Sequence, residues 1–550
     1  MAAPTVERAD ARTDPPLTLS DALRALDAGE TTSTRLTEAA LAAADRDDAV
    51  LGVFMSRFTD AALAAARAAD EARAAGVRLP LLGIPVGIKD IIAAEGGETT
   101  AQSLVLDRAW ADGDAPAVAR LRAAGAVIVG KTTTMEFAFG TPDPEKPFPI
   151  PRNPWDVARW TGGSSSGSAA GVAGGMFLGA LGTDTGASVR MPAALCGITG
   201  LKPTFGRVPK SGVVPLGYSC DCVGPMARSA EDCAKLLTVL AGADPADRSS
   251  VAEPVPDYLN SPGGDLAGLR IGYDAQTAVS GAARDGAVDG CLEAALDILR
   301  SRGAKVVPVQ LPLYWEVTSA TLLTILGEAA AYHAPDLRDR WSDFFASTRV
   351  GLGMSAFVSA ADLVQALRVR RAGQLALGEL WDEFDVLITP TVAAPAPPLE
   401  NAADYIGTIF ARSDLTYLTA YWNGLGNPVL TVPVGFSAAG LPLAMQVAGR
   451  PFAEDTVLRV GAAYQAVTDW HLARPAPVPD SVDAPRPAAT QPLPDPSAPA
   501  LALLELAGMG IPDAELPAVA AAFSLVRGHA DRIRDVPGTR YADPAAVFRA

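Results

Sequence analysis

Short apolar runs separated by helical stretches recur through most of this 550-residue chain. Ala126–Gly130, Leu269–Tyr273, Lys305–Val309, Asp385–Thr389, Pro428–Val434 and Leu443–Val447 each suit a short buried strand. Asp285–Arg302 and Ala360–Trp381 lie among them and read as helices. Strands alternating with helices bury their apolar faces by forming a mostly parallel or mixed sheet, covered on both sides. The pattern predicts an α/β protein. No repeat of 20–50 residues is visible, which sets solenoids and propellers aside.

Length alone suggests three or four domains. Boundary signals reduce that number. Residues 1–16 carry Glu7, Asp10 and Asp14 with no apolar core, so they read as a disordered N-terminus and not as a secretory signal. Residues 17–75 read as helices, alanine-rich with few breakers. Pro475–Pro499 holds nine prolines in 25 residues and reads as an extended linker. The chain therefore divides into a main domain at 17–474, a linker at 475–499 and a helical tail at 500–550. In the tail, Leu501–Ala507 reads as a short helix ended by Gly508 and Gly510. Leu516, Val519, Phe523, Val526, Ala530 and Ile533 then form the stripe of one amphipathic helix. Two helices this small cannot make their own core, so they are expected to dock on the main body or on a partner.

Composition narrows the ligand classes. Hydrophobic residues make up 49% and charged residues 19%, enough to bury a large core, with many alanines and few aromatics. Acids outnumber bases by 62 to 45, for a net charge of −17, a field that repels phosphate backbones. Nucleic acid is therefore not expected as a partner. Five cysteines without a CxxC pair and three histidines leave little for a disulfide framework or a metal site. Cys220 and Cys222 read as reduced thiols, which points to the cytoplasm. Apolar stretches such as Gly171–Leu181 are broken by glycine and too short to span a bilayer, so no membrane is expected either.

The densest chemical signal is Trp160-Thr161-Gly162-Gly163-Ser164-Ser165-Ser166-Gly167-Ser168. Composition alone would make it a flexible linker. Ordered segments flank it closely, however, and Gly182-Thr183-Asp184-Thr185-Gly186-Ala187-Ser188-Val189-Arg190 follows within twenty residues. Two glycine-serine loops joined by an apolar helix suggest one site where backbone and hydroxyls approach a ligand closely.

A serine attacks only when a base removes its proton. Gly163–Gly167 matches the GxSxG elbow of α/β-hydrolases, which would make Ser165 the nucleophile. That reading needs a late histidine such as His471 and a strand leading into the elbow, and Pro154–Trp160 does not look like one. Lysine is the other available base. Lys89 ends the run Leu81–Ile88, where burial would disfavour the ammonium form. Lowering a lysine from about 10.4 to 7–8 corresponds to about 4 kcal/mol. An ordinary lysine leaving a strand into solvent is the plain alternative.

These segments together resemble the amidase signature hydrolases. The resemblance rests on Gly162–Ser168, Gly182–Arg190 and Gly83–Asp90. It continues through Gly130-Lys131-Thr132, Arg152–Asp156, Gly200–Thr204, Asp221–Pro225, Thr389-Pro390-Thr391 and Gly449-Arg450-Pro451, in the family's order over about 17–475. It implies a three-layer α/β/α fold with a large mixed sheet, plus a small C-terminal helical appendage. It implies Ser188 as nucleophile, Ser164 as bridging serine behind a cis Gly163–Ser164 bond, and Lys89 as neutral base. Backbone N–H groups of Thr185, Gly186, Ala187 and Ser188 would form the oxyanion hole. Ser165, Asp184 and Arg190 would hold these loops by hydrogen bonds. The family's chemistry calls for no metal and no organic cofactor.

One position departs from the pattern, since Ala187 stands where the family usually has glycine. Substrate scope is the property it is expected to affect. The family also contains the A-type subunits of glutamine-dependent, tRNA-linked amidotransferases. No segment in 340–375 matches their arginine-rich glutamine pocket, and Arg368–Arg371 is basic without matching. Leu504–Phe548, ending Asp543-Pro544-Ala545-Ala546-Val547-Phe548, resembles the small accessory subunits of some amidase signature hydrolases; a generic helical tail is the alternative. The expected function is thus hydrolysis of a small-molecule amide, carbamate or ureide through an acyl-enzyme, with a homodimer left open. The alternatives are an A-type component of an amidotransferase, or a degenerate member kept only for binding.

Overall fold

The computed structural model describes residues 16–260, 264–276, 284–399, 417–482 and 496–542. Its strands are β1 (Phe54–Arg57), β2 (Pro85–Lys89), β3 (Val127–Thr132), β4 (Arg152–Asn153), β5 (Asp156–Trp160), β6 (Gly179–Asp184) and β7 (Thr199–Lys202). They continue as β8 (Cys222–Ala227), β9 (Arg270–Tyr273), β10 (Lys305–Pro308), β11 (Val386–Pro390), β12 (Val429–Phe436) and β13 (Pro442–Gly449). Eleven of them form one mixed sheet in the order β1-β3-β2-β6-β8-β7-β12-β13-β11-β9-β10. The pairs β3–β2–β6 and β11–β9–β10 run parallel, and the middle of the sheet is antiparallel. Every residue of β2, β3, β6, β8 and β11 is buried, as strands covered by helices on both faces must be. The α/β architecture with a large mixed sheet is the one expected.

Several local expectations are corrected. Residues 17–75 are not all helical. Gly52 ends the helix Ser33–Leu51 in a left-handed conformation, and the Asp48 carboxylate accepts from the Val53 and Phe54 N–H groups. The chain then leaves as β1, antiparallel to β3, with Phe54 edge-on to Phe177. Four residues are too few for periodicity to reveal. Asp156–Trp160, within the segment expected not to be a strand, is one; it pairs with β4 in a hairpin outside the main sheet. The glycine-rich β6 carries little strand propensity and forms because β2 and β8 pair with it on either side.

The C-terminal stripe is two helices, Leu516–Ala521 and Phe523–Arg534, and not one. Val519, Val526, Ala530 and Ile533 are buried as the spacing requires. The tail lies against the helices Tyr314–Asp339 and Ala360–Leu380. The Gly510 N–H donates to the Leu337 carbonyl (3.0 Å), Arg349 pairs with Glu515 (2.8 Å), and Arg527 pairs with Asp362 (2.6 Å). His529 Nδ1 lies 2.9 Å from Ser319 Oγ. The Asp543–Phe548 motif, linker residues 483–495 and the first fifteen residues lie outside the described residues.

Candidate active site

β2 and β6 are parallel neighbours, so Lys89 and Asp184, their last residues, emerge at the same edge of the sheet. Carboxyl ends of parallel strands are where ligands bind in open α/β sheets. Two loops meet there. Gly162–Ser165 leads into the helix Ser166–Ala173, and Thr185–Val189 leads into the helix Arg190–Leu195.

Lys89 is fully buried, with Nζ 2.8 Å from both Ser164 Oγ and Thr183 Oγ1. Burial pushes its pKa down to about 7, against the opposing pull of the Asp184 and Asp221 carboxylates. The Gly163–Ser164 bond is cis. Ser165 stitches the two loops together. Its N–H donates to the Ser188 carbonyl (3.1 Å), and its Oγ lies 3.2 Å from both the N and the O of Thr183. Gly182 allows this approach, because a Cβ there would stand 2.6 Å from Ser165 Oγ.

Asp184 and Arg190 form a fully buried ion pair (2.9 Å). Arg190 also donates to Gln446 Oε1 (2.7 Å), Asn423 Oδ1 (2.6 Å) and the Thr419 carbonyl (3.0 Å). Asp184 Oδ2 accepts from the N–H groups of Val189 and Arg190. Burial would raise the Asp184 pKa, but the Arg190 charge and the side-chain bonds from Arg190 and Asn423 hold it near 2. The pair therefore fixes the turn that carries Ser188.

Ser164, Thr185, Gly186, Ala187 and Ser188 all line one cavity of about 70 Å³. Ser188 and Gly186 are half-buried and face it. The structure thus brings together every site residue expected from the sequence. Ala187 packs in an apolar cluster with Met135, Trp160 and Met191, three residues that also wall the cavity. Leu322 and Ile325, from the helix Tyr314–Asp339, also line the cavity. Tyr218 borders a separate cavity beside Lys210. Thr183, Asp221, Asn423 and Gln446 went unassigned by sequence reasoning. The first two lie inside quoted motifs, but the last two arrive from distant elements with no local signal.

The elbow reading loses its base. Ser165 Oγ bonds the Thr183 backbone, and His471 is a buried turn residue whose pKa burial lowers to about 4. Arg368–Arg371 belongs to the helix Ala360–Leu380, where buried Arg370 donates to Ser219 Oγ, Ser219 O and Gly424 O. Among the described residues no group of three His, Cys, Asp or Glu side chains is placed to hold a metal ion.

The amidase family model matches residues 35–458. The chain belongs to the amidase signature family. It is 42% identical to the A-type subunit of the glutamyl-tRNA(Gln) amidotransferase of Roseiflexus sp. (strain RS-1), over 84% of this chain and 98% of that protein. Among solved structures, the corresponding glutamyl-tRNA(Gln) amidotransferase component from Thermotoga maritima matches with a TM-score of 0.69 and 30% identity, covering 86% of this chain and 98% of that one. A structure from work on a vestigial protein complex and the origins of an s-triazine catabolic enzyme matches with a TM-score of 0.76 and 31% identity, covering 84% and 100%.

This family membership makes the chain an enzyme of amide carbon–nitrogen chemistry. It also corrects two expectations. A self-contained hydrolase of small-molecule amides, and the exclusion of nucleic acid as a partner, both conflict with curated relatives that are subunits of a glutamyl-tRNA(Gln) amidotransferase. The charge argument misled because net charge sums over one whole chain. It does not say which member of an assembly touches the nucleic acid.

Proposed function

We propose that this chain is the amide-cleaving A-type subunit of a glutamine-dependent amidotransferase, acting in the cytoplasm with partner subunits on a glutamyl-tRNA. The observation that carries this reading is identity of 40–42% to five such subunits, spanning 97–98% of their lengths. Residues 17–474 are the amide-cleaving domain in this reading.

The chemistry assigned to the cavity is the one the family resemblance implies, and the short Lys89–Ser164 contact supports it. Neutral Lys89 takes the Ser164 proton across their 2.8 Å contact while Ser164 takes the Ser188 proton. Ser188 Oγ bonds to the amide carbon, and N–H groups of Thr185–Ser188 stabilise the oxyanion. The C–N bond breaks, the relay returns a proton, and ammonia leaves. Water then opens the Ser188 ester through the same relay, releasing glutamate and restoring both serines.

The test is ammonia release from glutamine by the wild type and by Ser188→Ala, followed by amide transfer to glutamyl-tRNA after copurification with partner subunits. Ser188-dependent glutaminase activity and a copurifying transferase support the proposal. A Ser188→Ala variant as active as the wild type sinks the mechanism, and purification as a lone chain without transfer sinks the assignment to an amidotransferase.

A further inference from the structure

Beside the oxyanion loop stands a carboxylate with no role in the proton relay. Asp221 is buried and immediately precedes β8, whose Cys222 pairs with Asp184 at the end of β6. Its Oδ1 accepts from the Thr185 hydroxyl (2.6 Å) and the Gly217 N–H (3.1 Å), and its Oδ2 accepts from the Leu216 N–H (3.1 Å). Thr185 opens the loop that carries Ser188, and Leu216 walls the same cavity. One acceptor-only group therefore joins both sides of the site.

The segment 216–221 is itself clamped. Glu328 accepts from the Ser219 N–H (2.9 Å), and Arg370 donates to the Ser219 hydroxyl and carbonyl. Gly217 lies so close to Thr185 that a Cβ there would meet Thr185 Cγ2 at 2.9 Å. Asp221 is thus held from two helices while it grips Thr185.

We infer that Asp221 is a positioning residue for amide cleavage: through the Thr185 hydroxyl it sets the backbone of Thr185–Ser188 that faces the developing oxyanion. This rests on the reading of Ser188 as the acyl carrier. A carboxylate suits the task because three donors converge on it; an asparagine would turn its amide N–H₂ against at least one N–H. The negative charge has a second effect, because Asp184 and Asp221 are the two carboxylates that favour the charged form of Lys89.

The test uses the full chain and the rate at which a fluorophosphonate labels Ser188, since the phosphonyl oxygen occupies the oxyanion position. Thr185→Val is expected to slow labelling about tenfold, less than the loss of a direct oxyanion donor, while Thr185→Ser stays within about threefold of wild type. Asp221→Asn is expected to slow labelling and also to move the acid limb of its pH profile downward. Thr185→Val should leave that limb in place, a split that a merely structural role would not produce. Wild-type labelling rates and an unshifted limb in Asp221→Asn, with wild-type rates in Thr185→Val, would overturn the inference. Failure of Ser188 itself to label would instead overturn the reading on which it rests.

Discussion

Lys89 Nζ lies 2.8 Å from Ser164 Oγ at the end of a fully buried strand. Burial pushes the lysine down to about 7, which makes the neutral amine accessible at physiological pH. Only the neutral amine can accept a proton. Activity should therefore rise with pH, reach half its maximum near pH 7 and level off above it. A kcat/KM profile for glutamine hydrolysis checks this, and an acid limb near the ordinary lysine value would contradict it.

Replacing that amine by a group that stays charged isolates its role as a base. Lys89→Arg preserves positive charge but not the ability to accept a proton at neutral pH. The expected loss in kcat is about 10²–10⁴-fold. Retention of more than a tenth of the wild-type rate would mean that another base serves Ser164.

Arg190 supports the site through Asp184. Arg190→Met leaves a fully buried carboxylate unpaired, at a cost of about 3–5 kcal/mol, read as a lower urea midpoint at pH 7. The wild-type pair should also be acid-sensitive. The folded Asp184 pKa lies near 2, below the ordinary 3.8, so its stabilisation is present above the ordinary value and is lost as pH falls toward 2. That contribution is roughly 2 kcal/mol. Equal urea midpoints for wild type and variant at pH 7 would show the pair to be dispensable.

Ala187 places a methyl in the cluster formed by Met135, Trp160 and Met191. Ala187→Gly should admit bulkier acyl groups, with kcat/KM for an aryl amide rising about tenfold relative to glutamine. The freed backbone and lost contact should lower stability by about 1 kcal/mol. Unchanged selectivity would show that this methyl does not limit the cavity.

The tail is held mainly by apolar burial. Ile533 is fully buried, so Ile533→Ala should cost about 2–5 kcal/mol. The partly exposed Arg349–Glu515 pair should contribute about 1 kcal/mol or less in a double-mutant cycle. Thermal unfolding of the full chain separates the two, and a larger effect from the ion pair would reverse the ranking.

The legible parts of this protein were those with local signatures. β3 and β9–β13 were expected within a few residues because each is a short apolar run between helices or turns. Lys89, Ser164 and Ser188 were singled out because the motifs that carry them match the amidase signature pattern. β1, β6, β7 and β8 were missed, and the reason is physical. Short strands rich in glycine or polar residues carry no periodicity, and they exist because neighbouring strands supply their hydrogen bonds. Four of the six stripe residues are buried, with Leu516 and Phe523 partly so, and the break at Ala522 leaves no mark in a spacing of three and four.

The sequence by itself determined the type of sheet, through local apolar patterning, and the family, through the motif resemblance that its glycine-serine loops carry. Tertiary structure decided the rest. Asn423 and Gln446 join the Asp184–Arg190 pair only because the helix Tyr417–Leu425 carries the first to Arg190 and the helix Arg190–Leu195 packs on β13, which carries the second. Leu322 and Ile325 become cavity wall only because the helix Tyr314–Asp339 lies across that edge. The state of Lys89 belongs to the fold as well. A lysine in an unfolded chain is solvated and charged; water excluded by the packed sheet and its helices is what lowers it to about 7.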